Sequence, residues 1–257
     1  MKKFSIALAA IAVVGSGCRD DQTSEQINQM NANTIGFTSV TTRADLTDLS
    51  DLMGDKAGFK VYATESETPS SWMSNITGNN NYGYADGAWG WVNVDVSWPT
   101  DEDSYPINFY AYYSSDYTNM AMNVLEPTAV TMTYTPSSDI TKQVDILSAT
   151  AKADSRPAGD KVSLYFGHIL SRVNFSTTAG SESTVHIQSV ALNNALNKQN
   201  YEVLSDSWSD ASGAGSQSYT FLSTTNPATA FEGTDESSSS AVSSDAGYLM
   251  LLPQTTT

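Results

Sequence analysis

Apolar residues in this chain recur at every second position, in short runs fenced by Gly, Pro, Asn, Asp and Ser. A period of two places alternate side chains on opposite faces of an extended backbone, so it marks strands, whereas a helix needs a period near 3.6. Phe59, Val61 and Ala63 share a parity, as do Val92, Val94, Val96 and Trp98 before Pro99 ends the run. Val162, Leu164 and Phe166 alternate, then Ile169, Ser171, Val173 and Phe175. Residues 107–113 (Ile-Asn-Phe-Tyr-Ala-Tyr-Tyr) are apolar on both parities, which predicts a central strand covered on both faces. Val185 and Ile187 give way to Val190 and Leu192 on the opposite parity, which predicts a bulge. The one helical pattern is short, residues 47–53 before Gly54. Two stretches, 66–90 and 205–247, are expected to be long loops, the first rich in Asn, Gly and aromatics and the second in Ser. Strands spaced 10 to 20 residues apart with turn signals between them predict an all-β chain of antiparallel sandwiches.

Charge narrows the partners. The 257 residues hold 12 basic against 28 acidic side chains, a net charge of −16. Such a surface repels phosphates and anionic lipid, so no nucleic acid is expected among the partners. One cysteine and two histidines supply neither a disulfide nor a thiolate metal cage, and no cofactor or metal is expected. His168 and His186 lie inside strand patterns without a catalytic motif around them, and read as structural. Asp101, Glu102 and Asp103 follow a proline and read as a solvated turn. With no nucleophile elbow or phosphate loop in the chain, no catalytic residue is assigned and the chain is not expected to be an enzyme.

The amino terminus reads as an address. Met1-Lys2-Lys3 precedes an apolar run over residues 4–14, too short to span a bilayer and suited to a secretory signal. Gly15-Ser16-Gly17-Cys18 then resembles a bacterial lipoprotein signal, although Gly15 stands where Leu is usual. It implies a signal peptide over 1–17, lipidation of Cys18, and outer-membrane anchoring through the lipid; the alternative is an ordinary signal with an incidental cysteine. The acidic Asp20 and Asp21 resemble a cell-surface export signal, and residues 22–33 read as a tether.

Ile35-Gly36-Phe37, Thr42-Arg43-Ala44, Phe59-x-Val61-Tyr62-Ala63, Ser97-Trp98-Pro99 and Ile107-x-Phe109-Tyr110-Ala111-Tyr112 occur in that order. Val144-Asp145-Ile146-Leu147-x-Ala149, Val162-x-Leu164-x-Phe166-x-His168-Ile169-Leu170-Ser171-Arg172-Val173 and Leu251-x-Pro253-Gln254 continue it. Together these phrases resemble the Bacteroidetes fimbrillin family, subunits of type V pili. The resemblance implies two transthyretin-like antiparallel β-sandwich domains in tandem, expected over 44–155 and 156–257, and a role in cell-surface fimbriae. It also implies a precursor cut after an arginine by a trypsin-like surface protease, for which Arg43 before Ala44 is the matching position. The piece released, 18–43, carries the strand-like residues 35–40, with Ile35, Phe37 and Val40 as its apolar anchors. Other fimbrial subunits, the protease, and host or bacterial surface ligands are the partners it implies. No alternating strand follows Pro253, so the second sandwich is expected to be incomplete, leaving residues 248–252 without strand partners. A competing reading is a surface glycan-binding lipoprotein, in which Trp72, Tyr82, Tyr84 and Trp89 stack on sugars; the alternative for these aromatics is that they cover a sheet edge.

Overall fold

A computed structural model describes residues 33–41, 58–65, 81–85, 88–91, 96–114, 120–126, 129–178, 184–223, 230–232, 239–241 and 247–254. Its regular structure there is β apart from two single 3-10 turns. The helical pattern at 47–53 lies outside the described residues.

The largest unit is a seven-stranded sheet. Its strands are β1 (Gly36–Thr41), β2 (Gly58–Glu65), β3 (Asn81–Ala85), β4 (Ala88–Trp91), β5 (Ile107–Ser114), β8 (Ile146–Ala153) and β9 (Lys161–His168). They are ordered β1-β9-β8-β5-β2-β3-β4, so β5 lies fourth of seven, central as its two-sided apolar run predicts. Ile107, Phe109 and Ala111 enter one core and Tyr110 and Tyr112 another. β9 follows strict alternation, with Val162, Leu164 and Phe166 inward and Tyr165 outward, 56% exposed. All its neighbours run antiparallel except β1, which runs parallel to β9, Phe37 beside Val162 and Val40 beside Tyr165.

This sheet is curled. β1 and β4 end the strand order on opposite sides, yet the Phe37 ring lies 5.7 Å from that of Trp91 and 5.0 Å from that of Tyr82 on β3. The concave face therefore closes on its own core of Phe59, Val61, Phe109, Leu164 and Phe166, with Val96 and Trp98 filling it.

The convex face is covered by a second, four-stranded sheet ordered β15-β14-β7-β6, made of β6 (Met120–Glu126), β7 (Ala129–Tyr134), β14 (Gln199–Glu202) and β15 (Ser207–Asp210). Val130, Met132, Tyr134 and Tyr201 meet Tyr110, Tyr112 and Ile146 there. Both sheets draw strands from either side of the expected domain boundary at 155/156: β9 pairs with β8, and β14 with β7.

Among the described residues of 171–251, four antiparallel strand pairs nest one inside the next as a ladder of separate pairs. β10 (Ser171–Val173) pairs with β19 (Leu249–Leu251), β11 (Ser176–Thr178) with β18 (Ser239–Ala241), β12 (Thr184–His186) with β17 (Ala230–Glu232), and β13 (Ser189–Leu196) with β16 (Ser216–Ser223). The expected parity change after Ile187 is a break between β12 and β13, followed by two register shifts in β13. Tyr219, Phe221, Leu249 and Leu251 build a third core along this ladder. Three expectations need correction. The stretch read as a loop holds the strand pair β3–β4, with Tyr82 opposite Trp91 and Tyr84 opposite Trp89. The Ser-rich stretch supplies β15, β16, β17 and β18, paired with β14, β13, β12 and β11. Leu249–Leu251 does have a strand partner, β10.

Candidate functional site

Residues 33–37 are the seam that closes the curled sheet. On one side Ile35 N–H donates to Val96 O at 2.7 Å, and Trp98 N–H donates to Asn33 O at 2.7 Å, an antiparallel contact. On the other side Gly36 N–H donates to Asp160 O at 2.8 Å, and the parallel ladder to β9 begins there. The chain is thus hydrogen-bonded along both edges. The backbone of an inner strand demands this pairing, since an unpaired buried N–H or C=O costs about 1–3 kcal/mol.

Two side chains of the far edge also bind this backbone. Trp91 Nε1 donates to Ile35 O at 2.7 Å, and the Tyr82 hydroxyl accepts from Phe37 N–H at 3.2 Å. Burial pushes the Tyr82 phenol above its ordinary pKa, and the bond from Phe37 N–H pulls it part of the way back. Tyr82 is therefore a neutral hydroxyl at any physiological pH.

The apolar part of the seam is Ile35, fully buried, and Phe37, 4% exposed. Four rings surround Phe37: Tyr82 at 5.0 Å, Phe109 at 5.5 Å, Trp91 at 5.7 Å and Phe59 at 6.0 Å between centroids. All four are edge-on, the arrangement that places the positive rim of one ring on the negative face of another.

A turn at residues 156–160 clamps the start of the seam. Asp160 N–H donates to Pro157 O at 3.0 Å, and Gly159 and Asp160 both take positive φ, 81° and 60°. Glycine adopts that backbone freely, and aspartate is among the few other residues that tolerate it. The turn aims Asp160 O at Gly36 N–H and at Trp98 Nε1, 3.4 Å away. Arg156 donates from Nε to Asp160 Oδ1 at 2.5 Å and from Nη1 to Asn33 Oδ1 at 2.6 Å. The hydrogen bond from Arg156 holds the Asp160 carboxyl below the usual carboxylate range.

Of the residues singled out in the sequence, Ile35, Phe37 and Tyr82 converge here. Val40 lies further along β1, in register with Tyr165. Cys18, Arg43, Ala44 and Trp72 lie outside the described residues. Tyr84 and Trp89 are cross-strand partners in the β3–β4 hairpin. Tyr82 is a correction to the sugar-stacking set: it is 4% exposed and wedged between Phe37, Phe59 and Trp91, so its face is closed to a sugar. Asn33, Arg156 and Asp160 were not singled out for function. The Pro157-Ala158-Gly159-Asp160 turn signal was visible, but nothing local links it to a segment 120 residues upstream.

The other candidate chemistry is structural. His168 Nδ1 pairs with Asp145 Oδ2, and Asp145 Oδ1 accepts from Ile146 N–H at 2.8 Å, so the pair pins the ends of β8 and β9. Asp101 accepts from Asp103 N–H at 3.0 Å in an exposed acidic turn. Among the described residues no group of three or more His, Cys, Asp or Glu side chains is placed to hold a metal ion.

The fimbrillin-like family model matches residues 42–257. A crystal structure from Bacteroides uniformis, provisionally described as a cell adhesion protein, shares 15% identity, with 88% of this chain and 76% of that one covered and a TM-score of 0.47. A second, from Bacteroides ovatus and described the same way, shares 14% identity over 86% and 78% of the two chains, also with a TM-score of 0.47. An adhesin, so described provisionally, from Bacteroides ovatus shares 8% identity over 95% and 74%, with a TM-score of 0.42. No curated protein matches the chain.

Proposed function

Since the chain belongs to the fimbrillin-like family, we propose that it is a structural and adhesive subunit of a cell-surface fimbria, polymerised by exchange of its first strand. The precursor is exported as a lipoprotein anchored in the outer membrane through Cys18. A surface protease then cuts after Arg43 and frees residues 18–43.

The observation that carries this reading is the double-sided seam. The segment that precedes Arg43 is hydrogen-bonded on both edges over residues 33–37, pairs with β9 as far as Thr41, and buries Ile35 and Phe37. Its removal takes away the main-chain atoms that Val96 O, Trp98 N–H, Asp160 O and Trp91 Nε1 engage, beside an apolar slot. Unpaired strand edges of this kind template another strand, and an extended segment of a neighbouring subunit restores every bond. The family match begins at residue 42, immediately after β1, in keeping with a common body from which the leading strand is separable. Each subunit offers a slot and occupies another, a head-to-tail contact that does not close and so grows a filament.

The test is Arg43→Ala in cells that display the protein. The unaltered chain is expected to yield a shortened form beginning at Ala44 and a ladder of multimers on mild-denaturant gels. The variant is expected to remain full length and monomeric. A shortened form and a ladder from the variant would rule out processing at Arg43.

A further inference from the structure

Resting on the exchange reading above, we infer that the slot selects its incoming strand by a single aromatic side chain, seated where Phe37 now sits. The occupant is an extended segment of another fimbrillin-like subunit that runs parallel to β9 and carries an aliphatic residue, any residue, then an aromatic one.

Most of the bonds to the seam are blind to sequence. Val96 O, Trp98 N–H, Asp160 O, Trp91 Nε1 and the Tyr82 hydroxyl all engage main-chain atoms of residues 33–37. They fix the direction and register of a strand without asking what it is. Selection must come from the side-chain positions.

The middle position selects little. A β-carbon added at Gly36 meets Lys161 Cγ at 3.1 Å, and that methylene belongs to an exposed side chain that can move. The position of Ile35 is closed to water and takes an aliphatic group. The position of Phe37 is the demanding one. Its four walls are rings at interplanar angles of 68° to 87° to the occupant. Edge-to-face contacts add to the burial of area and are lost by an aliphatic substitute of similar volume. The walls come from the middle of the sheet, Phe59 on β2 and Phe109 on β5, and from its far edge, Tyr82 on β3 and Trp91 on β4. An aromatic occupant thus closes the curl, which a smaller side chain leaves open.

The experiment uses the full chain cut at Arg43 with an arginine-specific protease, the released fragment still seated. A fluorescent peptide of residues 33–41 is added in excess, and its uptake is followed by anisotropy alongside variants of the peptide. Gly36→Ala is expected to bind within about threefold of the parent, Phe37→Leu about three- to tenfold more weakly, and Phe37→Ala at least about a hundredfold more weakly. Equal uptake of the Phe37 and Phe37→Ala peptides overturns the aromatic selection and leaves strand exchange standing. Uptake of no peptide, parent included, overturns both.

Discussion

Replacing Phe37 with alanine in the intact precursor separates a detachable strand from an integral one. Phe37 is 4% exposed with four rings around it, and the substitution empties a pocket that those rings cannot fill by small movements. Large-to-small changes at such sites cost about 3–5 kcal/mol. For a domain of this size, a cost borne by the whole fold would lower Tm by about 2–4 °C per kcal/mol. If β1 opens on its own, the fold loses no more than the free energy with which β1 was held, and the rest of the cost falls on local opening. Hydrogen exchange distinguishes the two, since each amide reports the smallest opening that exposes it. Protection of β1 amides is expected to fall by about 10²–10³ in Phe37→Ala, with protection of the central strand β5 nearly unchanged. Tyr165→Ala on the exposed face of the adjoining strand serves as the control, expected to stay within about 0.5 kcal/mol. Equal losses of protection in β1 and β5 would refute the reasoning, because they would mean that the first strand opens only with the entire domain.

Three further outcomes follow from the geometry. Gly58→Ala places a β-carbon 2.7 Å from Tyr82 O and 2.9 Å from Gly83 Cα, both backbone, so β3 must shift; a loss of about 1–3 kcal/mol in chemical denaturation is expected. Asp160 has a carboxyl pKa lowered in the folded chain by Arg156, so its contribution is present above the ordinary carboxylate value of about 3.9 and is lost as pH falls through the lowered value. Protection of the Gly36 amide should therefore decline below about pH 4 in the unaltered chain and not in Asp160→Asn, whose matching profile would disprove the link. At the ladder's tip Tyr201 OH donates to Asp206 Oδ1 at 2.6 Å, and burial, then that carboxylate, push the phenol pKa up. Tyr201→Phe should cost about 1–2 kcal/mol and loosen residues 203–206, measurable by thermal denaturation and exchange.

What could be read in the sequence was whatever burial writes locally. β9 alternates because one face meets the core and the other water; β5 does not alternate because both faces are covered. Residues 35–40 carried an apolar strand signal for the same reason. The seam's partners were not legible. The links from Asn33 to Trp98 and Arg156, and from Gly36 to Asp160, join segments far apart in the chain and leave no periodic trace in either. β3, Asn-Tyr-Gly-Tyr-Ala, has glycine where a core residue would normally announce a strand; its state is set by pairing with β2, where Gly58 faces Gly83. β18, Ser-Ser-Ala, owes its state to β11 on the opposite arm in the same way.

The central claim is that the first strand leaves before subunits join, and a reversible lock on that strand tests it most directly. Thr38 and Ser163 face each other across β1 and β9, their hydroxyl oxygens 3.2 Å apart on the solvent side. Neighbouring strands bring paired Cα atoms within the span of a disulfide. A precursor carrying Thr38→Cys and Ser163→Cys, its Cys18 left in place because the lipidated residue offers no free thiol, should be cut at Arg43 when oxidised yet stay monomeric. A mild reductant should then restore the ladder of multimers. Assembly of the oxidised, locked protein at the rate of the reduced one would contradict the account.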